Sequence, residues 1–428
     1  MLFNCPELST AELSVIDSIN KLRENLSYAV GTPRKWTGLL RRNLFARAIR
    51  GSNSIEGYQV SVDDAVAAVE GKEPMDAEAE TWAAVMGYRS AMSYVLQLSD
   101  DPYFSYSSDL LRALHYMMIQ HDLSKNPGKW RPGPIYVRNE ERGEIVYEGP
   151  DAERVPMLIQ EMVTSLSDSK PMNPLIRAAM GHLNLVMIHP FSDGNGRMAR
   201  CLQTLILARE RILGAMFCSI EEYLGRNTED YYSVLAEVGG GSWSPGRDAR
   251  AWIRFCLTAH YRQAATVLRR TKEMHRLWDA LEFEVQKHRL PSRVIPALVD
   301  AALGFRVRNA TYRAGAEVAE VVAGRDLKSL AALGLIEGHG ERRGRFYLAS
   351  KILAEIRETT REPRIVIPDP FGKSDAVEAS VAAPAIPIRT SREISSSGFT
   401  PAVGPPPMSM GEARRRVGRI IQGGKQDE

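Results

Sequence analysis

The sequence is poor in the residues from which metal and disulfide frameworks are built. It has four cysteines in 428 residues, Cys5, Cys201, Cys218 and Cys256, and none lie at CxxC spacing. A zinc site or a disulfide scaffold is therefore not expected, and a reducing, cytoplasmic setting fits. The eight histidines form no HExxH pattern. No apolar run reaches the ~18 residues a membrane-spanning helix needs, so no membrane partner is expected. The opening MLFNCPELSTAEL has no basic stretch followed by an apolar one, so no secretory leader is expected. A net charge of +3 is too small for a chain that coats nucleic acid or membrane.

What is present fits a soluble globular protein, with 44% hydrophobic and 25% charged residues. The length implies two to three domains. Residues 1–104 read as a helical region. Thr10 is placed to cap a helix carrying Leu13, Ile16, Ile19 and Leu22 at helical spacing, and a second helix is expected over Trp36–Arg50. The polar segment Ser52-Asn53-Ser54-Ile55-Glu56-Gly57 follows, then helical patterns at Asp63–Glu70 and Ala77–Leu98.

Residues 105–260 form a second part. Ile135–Arg138 and Glu144–Tyr147 flank a polar turn containing Gly143, which predicts a β-hairpin within a helical domain. Helices are expected at Asp151–Leu166 and at Pro174–Ile188, where Pro174 suits a first helical turn. Residues 261–362 read as a helical connector and a separate small domain. Residues 363–428 hold nine prolines, seven serines and two aromatics, a composition expected to stay disordered. The tail's Arg414, Arg415, Arg416 and Arg419 read as a solvated charge run.

The chemistry concentrates in one 12-residue window, His189-Pro190-Phe191-Ser192-Asp193-Gly194-Asn195-Gly196-Arg197-Met198-Ala199-Arg200. Apolar helices run into and out of it, so the loop ends at a helix N-terminus. Free N–H groups and the positive end of the helix dipole converge there and favour an anion. Glycines allow phosphate oxygens close to the backbone. Arg197 and Arg200, three apart, project from one face and suit a di- or triphosphate. Asp193 would repel phosphate unless a cation such as Mg²⁺ lies between them. His189 has a side chain able to accept a proton from a hydroxyl near neutral pH. His182, one heptad earlier, reads as a packed helix residue rather than a metal ligand.

This window resembles the signature of the Fic family, His-Pro-Phe-x-Asp/Glu-Gly-Asn-Gly-Arg-x-x-Arg, and matches it at every fixed position. The resemblance covers about residues 105–260 and implies a mainly α fold with a hairpin flap. It implies a nucleotidyltransferase that moves AMP from ATP to a Tyr, Thr or Ser hydroxyl of a protein. His189 is then the general base and Asp193 the Mg²⁺ ligand. Gly194, Asn195 and Gly196 cradle the phosphates, Arg197 and Arg200 hold the β- and γ-phosphates, and Phe191 anchors the loop. Asn227, Tyr231 and Tyr232 sit where the family lines its adenine pocket, although ordinary helix packing explains the tyrosines equally well. Ser52–Gly57 resembles the family's inhibitory-helix motif, with Glu56 expected to pair with Arg200.

Residues 290–350 are similar to the winged helix-turn-helix domain that often follows such cores. Arg306–Phe346 contains eight Lys/Arg against five Asp/Glu. Arg325 and a basic wing around Arg343 fit DNA contact, while docking of protein, including a homodimer, fits as well. Two rivals to AMP transfer accompany this reading: AMP removal or another phosphoryl transfer at the same site, and a DNA-binding regulator that senses ATP.

Overall fold

Ser61, Ser107, Asn173 and Ser350 each cap a helix start through the side chain. The computed structural model describes residues 1–372, apart from 32–33, 139–143, 169–171, 211–214, 342–343 and 364. Met1–Gly372 make one unit. Of the tail expected to be disordered from residue 363, the first residues to Gly372 are described apart from 364, while residues 373–428 with the arginine run, Gly143 in the hairpin turn, and Arg343 lie outside the described residues.

The first helix, α1 (Thr10–Gly31), is capped one residue earlier than the sequence pattern places it. Ser9 takes the cap position, and its N–H donates to Glu12 Oε2 at 2.6 Å, the back-bond of a capping box. Arg250 and Arg254 also reach Glu12. Burial opposes ionisation of this carboxyl, but the hydrogen bonds from Ser9 and Arg254 outweigh it and hold its pKa at about 2.

Helix α2 spans Thr37–Ile55, so Ser52–Ile55 belong to its last turn rather than to a segment after it. Ser and Asn are poor helix formers on their own. Here Asn53 Nδ2 donates back to Ile49 O at 2.8 Å and Ser54 Oγ to Gly51 O at 2.9 Å. Helices α3 (Val62–Glu70) and α4 (Ala79–Leu98) follow, and Ser61 accepts the Asp64 N–H to cap α3.

Next come α5 (Ser108–Ile119), the antiparallel hairpin β1 (Tyr136–Arg138) and β2 (Ile145–Glu148), and α6 (Val155–Ser167). Helix α7 runs Pro174–Ile188 with Asn173 as its cap, and α8 runs Asn195–Arg209. These two pack on each other, and Leu183, Ile188, Ala199, Leu202 and Leu205 on them are fully buried. Around them stand α9 (Ala215–Cys218), α10 (Glu221–Arg226), α11 (Thr228–Gly239) and α12 (Arg250–Lys287). Helix α12 crosses the boundary expected at residue 260 without a break.

Helices α2 and α10 approach closely enough to require glycine on both. A Cβ on Gly51 would lie 2.5 Å from Glu221 O, and one on Gly225 would lie 2.6 Å from Gly51 O.

The remaining elements are α13 (Ile295–Ala302), β3 (Val307–Arg308), α14 (Asn309–Ala316), α15 (Glu320–Ala332), β4 (Ile336–His339), β5 (Phe346–Ala349) and α16 (Lys351–Thr359). The three strands form one antiparallel sheet in the order β3-β5-β4. Arg306 bonds Asp63 through its N–H and Nε at 2.8 and 3.1 Å. Arg42 bridges Glu70 and Asp300. These ion pairs tie the C-terminal elements to α2 and α3.

Candidate active site

Helix α7 ends where His189 adopts a left-handed conformation (φ 50°), and α8 begins after Gly194 at φ 75°. The loop between them is held from inside. Asn195 Oδ1 accepts the Phe191 N–H at 2.9 Å, and its Nδ2 donates to Phe191 O at 2.8 Å. The Asn195 side chain therefore serves the loop's own shape.

Phe191 is fully buried and stacks on His115, with centroids 3.7 Å apart and planes 7° apart. His115 Nδ1 accepts the Gly128 N–H at 2.8 Å, which leaves Nε2–H to donate to Asp193 O at 3.0 Å. Burial pushes the His115 pKa down to about 4, so the ring is neutral in this role.

Arg131 closes the loop from the other side. Its Nε donates to His189 O at 2.8 Å and its Nη1 to Gly133 O at 2.6 Å, while Nη2 reaches Pro150 O. Tyr147 of β2 donates to Met187 O at 2.8 Å and ties the hairpin to the end of α7.

His189 is half-buried, with Nδ1 3.0 Å from Val186 O. A carbonyl can only accept, so Nδ1 carries the proton and the Nε2 lone pair is left available. Burial lowers the pKa below the usual imidazole value, with Arg131 adding to the shift, and His189 stands neutral at pH 7.

Asp193 Oδ2 accepts from Lys125 Nζ at 2.6 Å. Burial opposes its charge, but the lysine hydrogen bond outweighs that and keeps the carboxyl below its ordinary pKa. Among the described residues no group of three or more His, Cys, Asp or Glu could hold a metal ion. Asp193 stands beside the N-terminus of α8.

Both loop arginines are 1% exposed. Arg197 lies over the Tyr58 ring at 5.2 Å, and its Nε and Nη1 are buried without a hydrogen-bond partner. Arg200 donates from Nε to Ser52 Oγ at 2.8 Å and from Nη2 to Ser52 O at 3.0 Å and Glu56 Oε1 at 2.6 Å. Its Nη1 is also buried and unpartnered. Glu56 crowds the start of α8 as well: a Cβ on Gly196 would lie 2.5 Å from Glu56 Oε1. The carboxylate thus stands at the helix end that favours an anion.

Of the remaining candidates, Tyr231 lies beside the loop, with the Arg200 guanidinium 5.9 Å from its ring centroid. Asn227 joins α10 to α11 and donates to Tyr223 O at 2.7 Å. Tyr231 is 1% exposed, bonded through its hydroxyl to His182 Nε2 at 3.0 Å and packed near Trp252 and Phe255. Tyr232 is 45% exposed, with its hydroxyl donating to Ile55 O at 3.3 Å. His182 is fully buried between Gln203 and Tyr231, and burial pushes its pKa down to about 3. It is a packed helix residue.

His115, Lys125, Arg131 and Tyr58 complete the site and carry no local signature. Each acts across a long chain separation, and Gly128–Pro134 reads in sequence as an interruption between helices.

The fold and site define a helical domain built around a loop, His189–Gly194, that ends at the N-terminus of a buried helix. Residues 105–207 match the sequence model described as Fic/DOC family. The chain is 26% identical over 252 residues to a Nematostella vectensis protein named protein adenylyltransferase Fic, covering 58% of this chain and 55% of that one. A Culex quinquefasciatus protein of the same name is 27% identical over 278 residues, covering 64% and 49%. The chain thus spans about half the length of these curated relatives. A Fic family protein from Desulfovibrio desulfuricans G20 superposes with TM-score 0.53 at 22% identity, covering 82% of this chain and 99% of that one. A Fic domain containing signaling protein from Bacteroides thetaiotaomicron VPI-5482 superposes with TM-score 0.50 at 20% identity, covering 60% and 97%. Residues 105–207 thus match a Fic/DOC family domain.

Proposed function

We propose that the chain is a protein adenylyltransferase, moving AMP from ATP to a Tyr, Thr or Ser hydroxyl of a protein and releasing pyrophosphate. The observation that carries this reading is the set of buried guanidinium donors without partners, Arg197 Nε and Nη1 and Arg200 Nη1, at the N-terminus of α8. Buried donors without acceptors are costly, and phosphate oxygens would satisfy them. The adenylyltransferase names of the relatives support the same reading.

In this reading the neutral His189 accepts the target hydroxyl's proton at Nε2 as the oxygen attacks the α-phosphorus. The bond to the pyrophosphate oxygen breaks, and Arg197 and Arg200 bind the leaving charge. The N–H groups of Gly194, Asn195 and Gly196 orient the phosphates. Asp193 fits as the holder of Mg²⁺, since one carboxylate plus phosphate oxygens is a usual donor set and its Oδ2 already takes the Lys125 ammonium. When bound, Mg²⁺ neutralises phosphate charge. The hairpin β1–β2 presents the target strand. Glu56 restrains the reaction by occupying Arg200 and the start of α8. Buried thiols at Cys201, Cys218 and Cys256 suit a reducing cytoplasm, and among the described residues no helix is long and apolar enough to cross a membrane.

Incubation with ATP labelled at the α- or the γ-phosphate tests the assignment. AMP transfer puts the α-label on protein and leaves the γ-label free. Label from the γ-position would assign phosphoryl transfer, and no label at all would favour a sensor of ATP.

We also infer a winged helix-turn-helix in the C-terminal elements. The α13-β3-α14-α15-β4-β5 order and the β3-β5-β4 sheet support it. Arg325 and Lys328 are exposed on α15 and fit duplex phosphates, and the same face serves protein docking in the alternative.

A further inference from the structure

A second site lies apart from the His189–Arg200 loop. A cavity of ≈ 1010 Å³ is walled by α2, α12, the end of α13, and α16 with the segment after it. None of the loop residues line it. Its volume is at the upper end of the range for small-molecule sites, about 300–1,000 Å³.

The cavity has more positive than negative charge. Arg47, Arg226, Arg269, Arg270, Arg357 and Arg361 line it, against Glu273, Glu358 and Glu362. Glu222 stands behind the wall, and its side chain is 8% exposed. Two arginines already claim that carboxylate. Arg270 forks onto both oxygens at 2.5 and 2.8 Å, and Arg226 bonds Oε1 at 2.5 Å. Arg47 is left with a 3.6 Å approach to the same oxygen, beyond a hydrogen bond. Glu273 is likewise shared, by Arg269 and Arg357 at 2.5 and 2.9 Å. Buried carboxylates therefore bind the inner guanidinium groups and leave Arg47 short of an acceptor. Burial and the adjacent Arg270 push the Arg47 pKa down to about 10, the direction expected where cations crowd without enough counter-charge.

The rest of the lining selects among anions. Leu40 and Leu44 of α2, with Met274 and Leu277 of α12, give the cavity an apolar wall. A bare inorganic ion would leave that wall unused. Phosphate carries more acceptor oxygens and more charge than a carboxylate, and so serves more guanidinium groups at once.

We propose that this cavity binds an organic phosphate of nucleotide size, its phosphate groups on Arg47 and Arg226 and its apolar body against Leu40, Leu44 and Met274. The residues used lie outside the transfer site, so the proposal stands whether or not the chain transfers AMP.

The test is calorimetric titration of the full-length protein, in EDTA, with two probes: inorganic tripolyphosphate and ADP. The wild type is expected to show a binding site that Arg47→Glu weakens at least tenfold for both probes. ADP should bind there more tightly than tripolyphosphate despite its lower charge, because its base has the apolar wall. Arg226→Ala should weaken the same site severalfold. Arg226 has a side chain 59% exposed, so this second variant decides the matter if circular dichroism shows that Arg47→Glu is misfolded. Isotherms of a folded Arg47→Glu or of Arg226→Ala that superimpose on the wild type would overturn the proposal. Tighter binding of tripolyphosphate than of ADP at this site would overturn the nucleotide-sized assignment.

Discussion

Glu56 Oε1 lies 2.6 Å from Arg200 Nη2, and α2 and α8 are joined at this point across 144 residues of chain. Ser52, one turn earlier on α2, holds the same guanidinium from the side through its hydroxyl and its carbonyl. The arginine is thus gripped at three points by one helix end. Burial disfavours its charge, but Glu56 outweighs that and raises its pKa.

Glu56→Gly is therefore expected to increase label transfer. A charge-assisted hydrogen bond is worth about 1.5–3 kcal/mol, so release of Arg200 should raise productive nucleotide binding by about 10- to 100-fold. The rates of wild type and variant at subsaturating ATP check this. Equal rates, with the fold intact by circular dichroism, would remove the restraint from the account.

Arg131 should matter for the fold as much as for the site. Its fork serves the carbonyls of Gly133, Pro150 and His189. Arg131→Gln strands several buried acceptors, and a loss of about 3 kcal/mol is expected. Denaturant unfolding measures it, and a loss below about 1 kcal/mol would contradict the clamp.

The sequence made the loop legible because its parts are contiguous: base, carboxylate, glycine turn and arginines fall within one window. The hairpin and α7 were legible for the same local reasons, two β-rich runs around a polar turn and Pro174 at a first helical turn. The clamp was not, because Arg131, His115 and Lys125 meet the loop only through the fold. The last turn of α2 was missed because Ser52 and Asn53 are weak helix formers, and tertiary bonds to Arg200 and Ile49 O decide their state. Tyr231 was legible only by position: its contacts, the hydroxyl on His182 and the ring 5.9 Å from the Arg200 guanidinium, come from the fold.

Buried histidines set the expected pH dependence of stability. His115 and His182 have pKa values of about 4 and about 3, and burial lowers His260 well below its usual value. The unfolded chain binds their protons near pH 6.5, so stability is complete above that pH and is lost as pH falls. Glu221 acts oppositely: burial raises its pKa to about 7, so its contribution is lost as pH rises from about 4.5 to 7. His189, whose pKa burial also lowers, acts in the same direction, so the histidines outnumber Glu221 and stability is expected to fall as pH drops from 6.5 toward 5. Urea unfolding at pH 5.5 and 6.5 checks the sign, and greater stability at pH 5.5 would contradict it.

Arg325 separates the two readings of the C-terminal elements. If α15 contacts duplex phosphates, Arg325→Ala should reduce the salt slope of DNA binding by about one. A wild-type protein that retains no duplex at low salt would assign this face to protein docking.

The central claim is that the His189–Arg200 loop transfers AMP, with His189 as the base. It is tested most directly by comparing Glu56→Gly with Glu56→Gly/His189→Ala, using α-labelled ATP and following covalent label on protein together with nucleotide binding. The account predicts strong labelling by the single variant, a fall of about 10²- to 10⁴-fold in the double variant, and nearly equal ATP affinity in both. Substantial labelling by the double variant would contradict the base assignment, and no α-label from Glu56→Gly on any protein would contradict the transfer itself.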